Sequence, residues 1–564
     1  MQHDSTSSFS ANQLAAARLI QACIDQGLHH FFVAPGSRCT PLTIAIANHA
    51  EARVVQHFDE RGLAFACLGF ARATGRAGVF VCTSGTAVAN ALPAVVEASN
   101  DQVPLLLLTA DRPPELRETG ANQTIDQVKI YGDFTRWCFD LPCPTINTTA
   151  SFLRSTIRHA ASRAATGPVH INCMFREPFA AADAVRCESE PPPAKNCRVS
   201  LQHVVKLPAG NTIVIAGSCS AEAARAAGNM ADRLNAPFFS DVSNGVRGLA
   251  YDLALMSNEL PVPDRVVHVG GRVVSKRWAT FLKSHPEIRQ IHYWPYESRL
   301  DPDHALPEVI HGDLKTLCDN TTCDNMSSHT TMATAFTRIW QTAAQIASVA
   351  AQRVVTARGL SEPCVAYELA QQLPNGTGLL LGNSLPIRQM DQLGFWPTDR
   401  QIHVATNRGA SGIDGLLATA AGFAVGLGKT VTALVGDLSA LHDLNSLSLL
   451  ARNPVPVVLV INNNDGGGIF HFLPIAEQTE HFEQYFGTPH GRNFHAAAAL
   501  FDLPYESPQT VEQFRAAYDA ALRSGRSCVI EVRTKRAETL QLHREIESAV
   551  RAALQHAASA GELA

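Results

Sequence analysis

Two polar residues late in the chain have the types and spacing of a metal site. Asp437 closes the run "VTALVGD", and Asn464 follows "PVPVVLVINN". They stand 27 positions apart, room for one loop, one helix and one strand. Their side chains are therefore expected to meet at the C-terminal ends of adjacent parallel strands, where open α/β sheets bind ligands. A carboxylate, an amide oxygen and a backbone carbonyl at Gly466 make a hard oxygen set. Such a set suits Mg²⁺ that completes its shell with phosphate and water. The neighbouring glycines let backbone N–H groups and a helix start approach the phosphates. As bare residues, the same pair could be a cap at 437 and an Asn-Gly turn at 464–466.

A further carboxylate stands at the join in "QHFDERGLAFACLGFARATG", residues 56–75. Asp59 is a reasonable N-cap and Glu60 opens the helix. A first-turn charge that favours the helix dipole would explain Glu60 without chemistry. Three loops add polar reach: "APGSRCTPL", "TSGTAVAN" and "TADRPPELRETGANQTIDQ". Gly36 and Gly85 permit tight turns and close backbone approach. Ser37, Arg38, Arg112, Arg117, Asn122 and Gln123 supply the polar groups. Any one loop could be merely solvated; three on one sheet edge are expected to form a site.

The elements that must position these residues alternate strand and helix. Short apolar strands such as "HHFFVAP", "AGVFVCT" and "VPLLLLTA", separated by helices, predict a parallel sheet covered on both faces. "PVHINCMF" reads as another strand. The Pro-rich stretch 187–200 reads as a linker, after which "NTIVIAG", "RVVHVGG" and "QIHYW" begin a second α/β unit. The polar stretch 318–331 reads as a second linker. A third unit follows, with strands "GLLLGN", "QIHVAT", "TVTALVG", "VPVVLVIN" and "SCVIEVR". The chain is thus expected to form three doubly wound parallel-sheet α/β domains, at 1–186, 200–318 and 332–564.

Bulk properties narrow the class. The chain has 564 residues, 46% of them hydrophobic and 17% charged, which describes large globular cores. A net charge of −5 gives no nucleic-acid footprint. No apolar run reaches the roughly 18 residues of a membrane span, and the N-terminus lacks signal-peptide regions. The 14 cysteines include no CxxC pair and read as reduced thiols, so a cytoplasmic location is expected. GxGxxG and GxxxxGK[ST] are absent, which argues against a plain nucleotide-binding module.

Gly-Asp followed after about two dozen residues by Asn-Asn resembles the diphosphate-binding motif of thiamine-diphosphate enzymes. The strings "HFDERGLAF", "TSGTAVAN", "LLLTADRPPELRETGANQTIDQ", "NRGASGIDG", "GDLSALHDLN" and "NNNDGGGIF", in order along essentially the whole chain, are similar to the 2-succinyl-5-enolpyruvyl-6-hydroxy-3-cyclohexene-1-carboxylate synthases of menaquinone biosynthesis. The superfamily's usual Gly-Asp-Gly is Gly-Asp-Leu here, at Leu438, and the middle unit matches least.

The resemblance implies a thiamine-diphosphate-dependent transferase. It would decarboxylate 2-oxoglutarate and add the succinyl unit to isochorismate in a 1,4-addition, with Mg²⁺, for which Mn²⁺ substitutes. The resemblance makes Glu60 the partner of N1′ of the cofactor's aminopyrimidine, favouring the imino tautomer that removes the thiazolium proton. That role needs a carboxyl with a raised pKa in a dry site. Ser84, Ser384, Ser411, Gly436, Asp437, Leu438, Ser439, Asn464, Gly466 and Gly467 would contact the cofactor, with Asp437, Asn464 and Gly466 on the metal. Ile413 would hold the cofactor's bent shape, though it could equally be helix core. Ile469 and Phe470 would wall the thiazolium. Arg38, Arg112, Gln123, Arg388 and Arg408 would act on substrate carboxylates and hydroxyls, with Ser37 and Asn122 beside them. Lys276 and Arg277 either reach in from the middle unit or form a solvated helix start. The resemblance also implies a homodimer or homotetramer with active sites shared between chains, and no nucleic-acid partner or membrane insertion. Another thiamine-diphosphate carboligase or 2-oxoacid decarboxylase, or a non-catalytic homologue, are the alternatives.

Overall fold

The computed structural model describes residues 5–179, 204–323 except 299 and 306, and 334–563 except 398. The strands, in chain order, are β1 His30–Val33, β2 Arg53–Gln56, β3 Gly78–Cys82, β4 Leu105–Asp111, β5 Trp137–Leu141, β6 Pro168–Met174, β7 Val205–Leu207, β8 Thr212–Ala216, β9 Phe238–Ser240, β10 Arg265–Val269, β11 Arg289–Trp294, β12 Glu308–His311, β13 Thr321–Cys323, β14 Gly378–Leu381, β15 His403–Thr406, β16 Val431–Gly436, β17 Val457–Asn463, β18 Tyr505–Glu506 and β19 Cys528–Arg533. They form three main sheets, ordered β2-β1-β3-β4-β6-β5, β12-β11-β10-β8-β9 and β15-β14-β16-β17-β19-β18, and every pairing in them is parallel. The first and third sheets thus share one topology. In each, the order reverses between the first and third strands, the switch point at which open α/β sheets bind ligands beyond the strands' carboxyl ends.

The buried strands are near-continuous apolar runs because helices cover both faces. All residues of β3, β4, β6 and β17 are buried. Strand β5 carries a half-buried "WCFDL" that lacks this signature. The stretch expected as a linker from 318 is partly ordered. Cys318 lies in the helix Leu314–Asp319, and β13 pairs with β7 as a two-stranded ribbon. The expected linker residues 187–200 and 324–331 lie outside the described residues. Every cysteine among the described residues is a free thiol.

One helix pair joins the first and third sheets' layers. Glu60–Thr74 packs on Leu416–Leu427 with its backbone almost in contact. A Cβ on Gly422 would lie 1.8 Å from the Ala66 carbonyl oxygen, and one on Gly69 would lie 2.1 Å from that of Thr419. Only glycine fits at both places. The helix begins as its sequence dictates: Asp59 accepts from Arg61 N at 3.0 Å and Gly62 N at 3.3 Å. Beside the middle sheet, the helix Ala335–Ala357 packs with the C-terminal helix Arg536–Ser559 in a common apolar cluster.

Candidate active site

At the edge of the first sheet, the loops after β1, β3 and β4 converge. A Cβ on Gly36 would meet Thr83 Cβ at 2.3 Å, so the Gly36 backbone in the loop after β1 lies directly against the Thr83 side chain after β3. Gln123, left-handed at φ 55°, donates to Ser84 O at 2.9 Å, and the Ser84 hydroxyl donates back to Gln123 O at 3.2 Å. Arg112 donates to that same Gln123 carbonyl at 2.7 Å. Arg38 donates to Phe175 O at 2.9 Å, lies 3.3 Å from Glu177 and sits over the Phe179 ring. Burial, and then the nearby Arg112 charge, pull the Arg38 pKa down. Burial does the same to Arg112. Ser37 and Asn122 are exposed at the rim.

Beneath these loops lies a polar layer that sequence reasoning did not anticipate. Asn172 on β6 donates to Asp111 and Asp140, both at 2.8 Å. Arg117 pairs with the same two carboxylates at 3.2 and 3.1 Å. Gln127 ties Gly85 N to Asn172. Arg117, expected as free polar reach, is thus part of the platform under Arg112.

Glu60 is half-exposed, its carboxylate accepting from Asn90 Nδ2 at 3.4 Å. The dry setting expected for it is not supplied by the facing units of its own chain. Its neighbour Arg61 donates to His442 O at 2.8 Å, at the far end of the short helix that Asp437 starts.

The third sheet's edge gathers the remaining candidates. Strands β16 and β17 are adjacent, with Gly436 opposite Asn462. Asp437, 2% exposed, accepts from Leu438 N at 2.7 Å and Gly466 N at 2.8 Å, and lies 3.1 Å from His490 Nε2. Burial raises its pKa, and these donors oppose the rise. Gly436 precedes it, and Ser439 is buried one place beyond Leu438 in the same helix. Asn464 donates through Nδ2 to Glu362 at 2.9 Å, while its Oδ1 is buried without a partner. Gly466 has φ 131°, and a Cβ there would lie 2.0 Å from the Gly487 carbonyl oxygen, so a side chain is excluded. Gly467 donates to that same carbonyl at 2.8 Å. Among the described residues no group of three or more His, Cys, Asp and Glu side chains is arranged to hold a metal ion, so a metal here would draw on amide and backbone oxygens as well. Asn464, with its orphaned amide oxygen, stands two residues before Gly466, whose N–H meets the buried Asp437 carboxylate; amide and carboxylate oxygens are the donor chemistry that Mg²⁺ takes.

Two cations stand on the same edge. Arg388, on the helix Leu385–Leu393, donates to Ser384 O, and Arg408 donates to Asn383 Oδ1 at 3.2 Å. Neither forms an ion pair with a described residue. Burial and then the Arg408 charge lower the Arg388 pKa. Ser384 holds φ 72°, ψ −126°, a conformation costly for any residue with a Cβ. Ser411 is also left-handed, at φ 60°. Ile413 is 41% exposed on the loop before Leu416–Leu427, so the helix-core alternative does not apply to it. Phe470 packs on Phe486 at 5.6 Å, with Ile469 half-buried beside it.

Glu97 of the first unit reaches into this edge. It is 2% exposed and accepts from Gly409 N at 2.9 Å, Ala410 N at 2.6 Å and Arg72 at 2.7 Å. With Glu362 and His490, it is a site neighbour that the sequence did not single out. In the middle unit Lys276 is exposed, whereas Arg277 pairs with Asp252 at 2.6 Å and with Glu547 of the C-terminal helix. That guanidinium is committed to an inter-unit ion pair.

Three family profiles match in order: thiamine pyrophosphate enzyme, N-terminal TPP binding domain, over 14–130; middle domain of thiamine pyrophosphate, over 194–381; and thiamine pyrophosphate enzyme, C-terminal TPP binding domain, over 389–532. The 2-succinyl-5-enolpyruvyl-6-hydroxy-3-cyclohexene-1-carboxylate synthase of Salinibacter ruber is 43% identical, covering 95% of this chain and 96% of its own length. The chain belongs to that synthase family. The Rubrobacter xylanophilus synthase is 42% identical over 95% of this chain and 98% of its own, and that of Chlorobium phaeovibrioides 39% over 94% and 96%. In this synthase-family chain, strands β1–β4 lie in the match to the N-terminal TPP binding domain and β15–β18 in the match to the C-terminal one, while β14 closes the middle-domain match. No helix among the described residues is long and apolar enough to cross a membrane.

Proposed function

We propose that this chain removes the C1 carboxylate of 2-oxoglutarate as CO₂ and adds the remaining succinyl unit to isochorismate, giving 2-succinyl-5-enolpyruvyl-6-hydroxy-3-cyclohexene-1-carboxylate. The observation that carries this reading is the pair Arg388 and Arg408. Two guanidinium groups without a carboxylate partner among the described residues stand on the edge that holds Asp437 and Asn464. Polyanionic substrates supply the charge these cations lack. Bound thiamine diphosphate supplies the electron sink for decarboxylation.

The chain's own residues do the rest. Asp437 and Asn464 Oδ1 would hold Mg²⁺, and the N–H groups of the Gly466–Gly467 backbone would serve the diphosphate. Glu60 holds a proton at N1′ of the aminopyrimidine. Arg388 and Arg408 orient 2-oxoglutarate, while Arg38, Arg112 and Gln123 receive isochorismate from the opposite sheet. A second copy of the chain covers Glu60 and completes the site. The half-exposure of Glu60, with Phe58 56% and Ile413 41% exposed in the same two motifs, supports this sharing.

Purified protein supplied with thiamine diphosphate, Mg²⁺ and both substrates should consume isochorismate. Omitting 2-oxoglutarate should stop it. Decarboxylation of 2-oxoglutarate that proceeds equally well with no isochorismate consumed would instead indicate a simple 2-oxoacid decarboxylase.

A further inference from the structure

Glu362 starts the helix Glu362–Gln372 and is 1% exposed. It forms no ion pair with a described residue. Instead, neutral donors converge on it. Its Oε1 accepts from Asn464 Nδ2 at 2.9 Å, Thr539 Oγ1 at 3.0 Å and Thr534 Oγ1 at 3.2 Å, and its Oε2 accepts from Gln389 Nε2 at 3.4 Å. A first-turn carboxylate serves a helix dipole equally well in water, so burying this one at such a junction asks for another reason.

Asn464 supplies it. An amide presents a donor on one side and an acceptor on the other. With Nδ2 held by Glu362, Oδ1 must face the opposite way, and there it is buried and unpartnered. Turning the amide over would set Oδ1 against Glu362 Oε1, two acceptors at 2.9 Å. Gly468 leaves room for this amide: a Cβ there would lie 2.6 Å from Asn464 Nδ2.

We propose that Glu362 is a positioning residue that fixes the flip of Asn464, so that Oδ1 is presented to the cation held beside Asp437. This rests on the Mg²⁺ reading of Asp437 and Asn464. Thr534 and Thr539, from β19's exit and the C-terminal helix, and Gln389, next to Arg388, brace the carboxylate from three directions. A partner that orients a metal ligand is typically worth ten- to a hundred-fold in metal affinity.

The test is Mg²⁺ titration by calorimetry in the presence of thiamine diphosphate, together with thermal unfolding of the metal-free protein. Four variants are compared with wild type: Glu362→Gln, Asn464→Asp, the double variant, and Asp437→Asn. An amide at position 362 can offer either an oxygen or an N–H₂ to Asn464, so Glu362→Gln should weaken Mg²⁺ about tenfold or more. Asn464→Asp sets two carboxylates face to face and should lose Mg²⁺ binding. In the double variant the amide at position 362 donates to the carboxylate at position 464, and affinity should return to within about tenfold of wild type. Wild-type Mg²⁺ affinity in Glu362→Gln, with only a lower metal-free unfolding temperature, would mean that Glu362 merely braces the C-terminal segment, and would overturn the inference. A double variant no better than Asn464→Asp would overturn it too. If Asp437→Asn loses Mg²⁺ while Glu362→Gln keeps it, only the role of Glu362 falls. If Asp437→Asn binds Mg²⁺ like wild type, the metal reading falls and takes this inference with it.

Discussion

Replacing Glu97 with alanine should loosen the loop that carries Arg408 and Ile413. The substitution strips the acceptor from Gly409 N and Ala410 N and leaves Arg72 with Asp101 alone, at 2.8 Å. An orphaned buried donor costs about 1–3 kcal/mol. Breaking a buried ion pair by removing one partner costs about 3–5 kcal/mol. Two features keep the sum from being reached. Asp101 still neutralises Arg72. A cavity of about 280 Å³ lined by Glu97, Ala410 and Asp414 also has room for water to meet the freed amides. Burial also raises the Glu97 pKa, so the carboxylate is held at a desolvation cost that the alanine avoids. A net local loss of about 3 kcal/mol is expected, roughly a hundredfold in the opening equilibrium of the loop. Hydrogen exchange of peptides spanning 405–415, read by mass spectrometry, measures that opening directly. Exchange should quicken by about two orders of magnitude in Glu97→Ala and by less in Glu97→Gln, which keeps one acceptor oxygen. Unchanged exchange in Glu97→Ala would refute the claim that Glu97 fastens this loop.

Glu60→Gln should abolish turnover while leaving thiamine-diphosphate binding largely intact, since an amide can hydrogen-bond N1′ but cannot exchange its proton; steady-state rates and calorimetry check both halves. Asp437→Ala should remove cofactor and Mg²⁺ affinity in the same titration. Arg38→Ala and Arg112→Ala should raise the KM for isochorismate most, and Arg388→Ala and Arg408→Ala should impair the 2-oxoglutarate step more, by about ten- to a hundred-fold in kcat/KM for a lost charge-assisted bond of about 1.5–3 kcal/mol. Equal effects on both substrates in all four would show the division to be wrong. Stability should fall as pH drops below about 6.5. Burial pushes His170 down to about 3 and His57 to about 4, so below the ordinary histidine pKa the unfolded chain binds protons that the folded chain does not. Each such group contributes up to about 1.4 kcal/mol per pH unit in that window, and thermal unfolding of His170→Gln against wild type between about pH 7 and 5 should show the smaller slope in the variant.

The sequence made the sheets legible where burial writes itself as an unbroken apolar run. "VPVVLVIN" and "TVTALVG" had to be neighbours, and from that neighbourhood Asp437 and Asn464 were expected to stand together. Strands β5, β7, β9, β12, β13 and β18 escaped because they are short or half-exposed, and an edge strand carries no such run. Glu362 escaped for a different reason. It stands 102 positions before Asn464 and looks like any helix-opening carboxylate until the fold brings Asn464, Thr534 and Thr539 to it. Glu97 sits in an apolar helix stretch, "LPAVVEASN", and its partners Gly409 and Ala410 lie more than three hundred positions away. Arg117 and Arg277 show the converse: their residue type suggested ligand contact, but carboxylates of the platform and of the unit interface claim both. Exposure is likewise not written in "SGID", which is why Ile413 could be helix core by sequence and is a loop residue in the structure.

The most direct measurement follows the carbons. With 2-oxoglutarate labelled with ¹³C at C1 in one sample and at C2–C5 in another, the protein is supplied with thiamine diphosphate, Mg²⁺ and isochorismate, and CO₂ and product are analysed by mass spectrometry. One labelled CO₂ should leave from C1 for each isochorismate consumed, and all four carbons C2–C5 should appear in the product. Labelled CO₂ released with none of C2–C5 joined to isochorismate, or isochorismate consumed without CO₂, would contradict the proposed reaction.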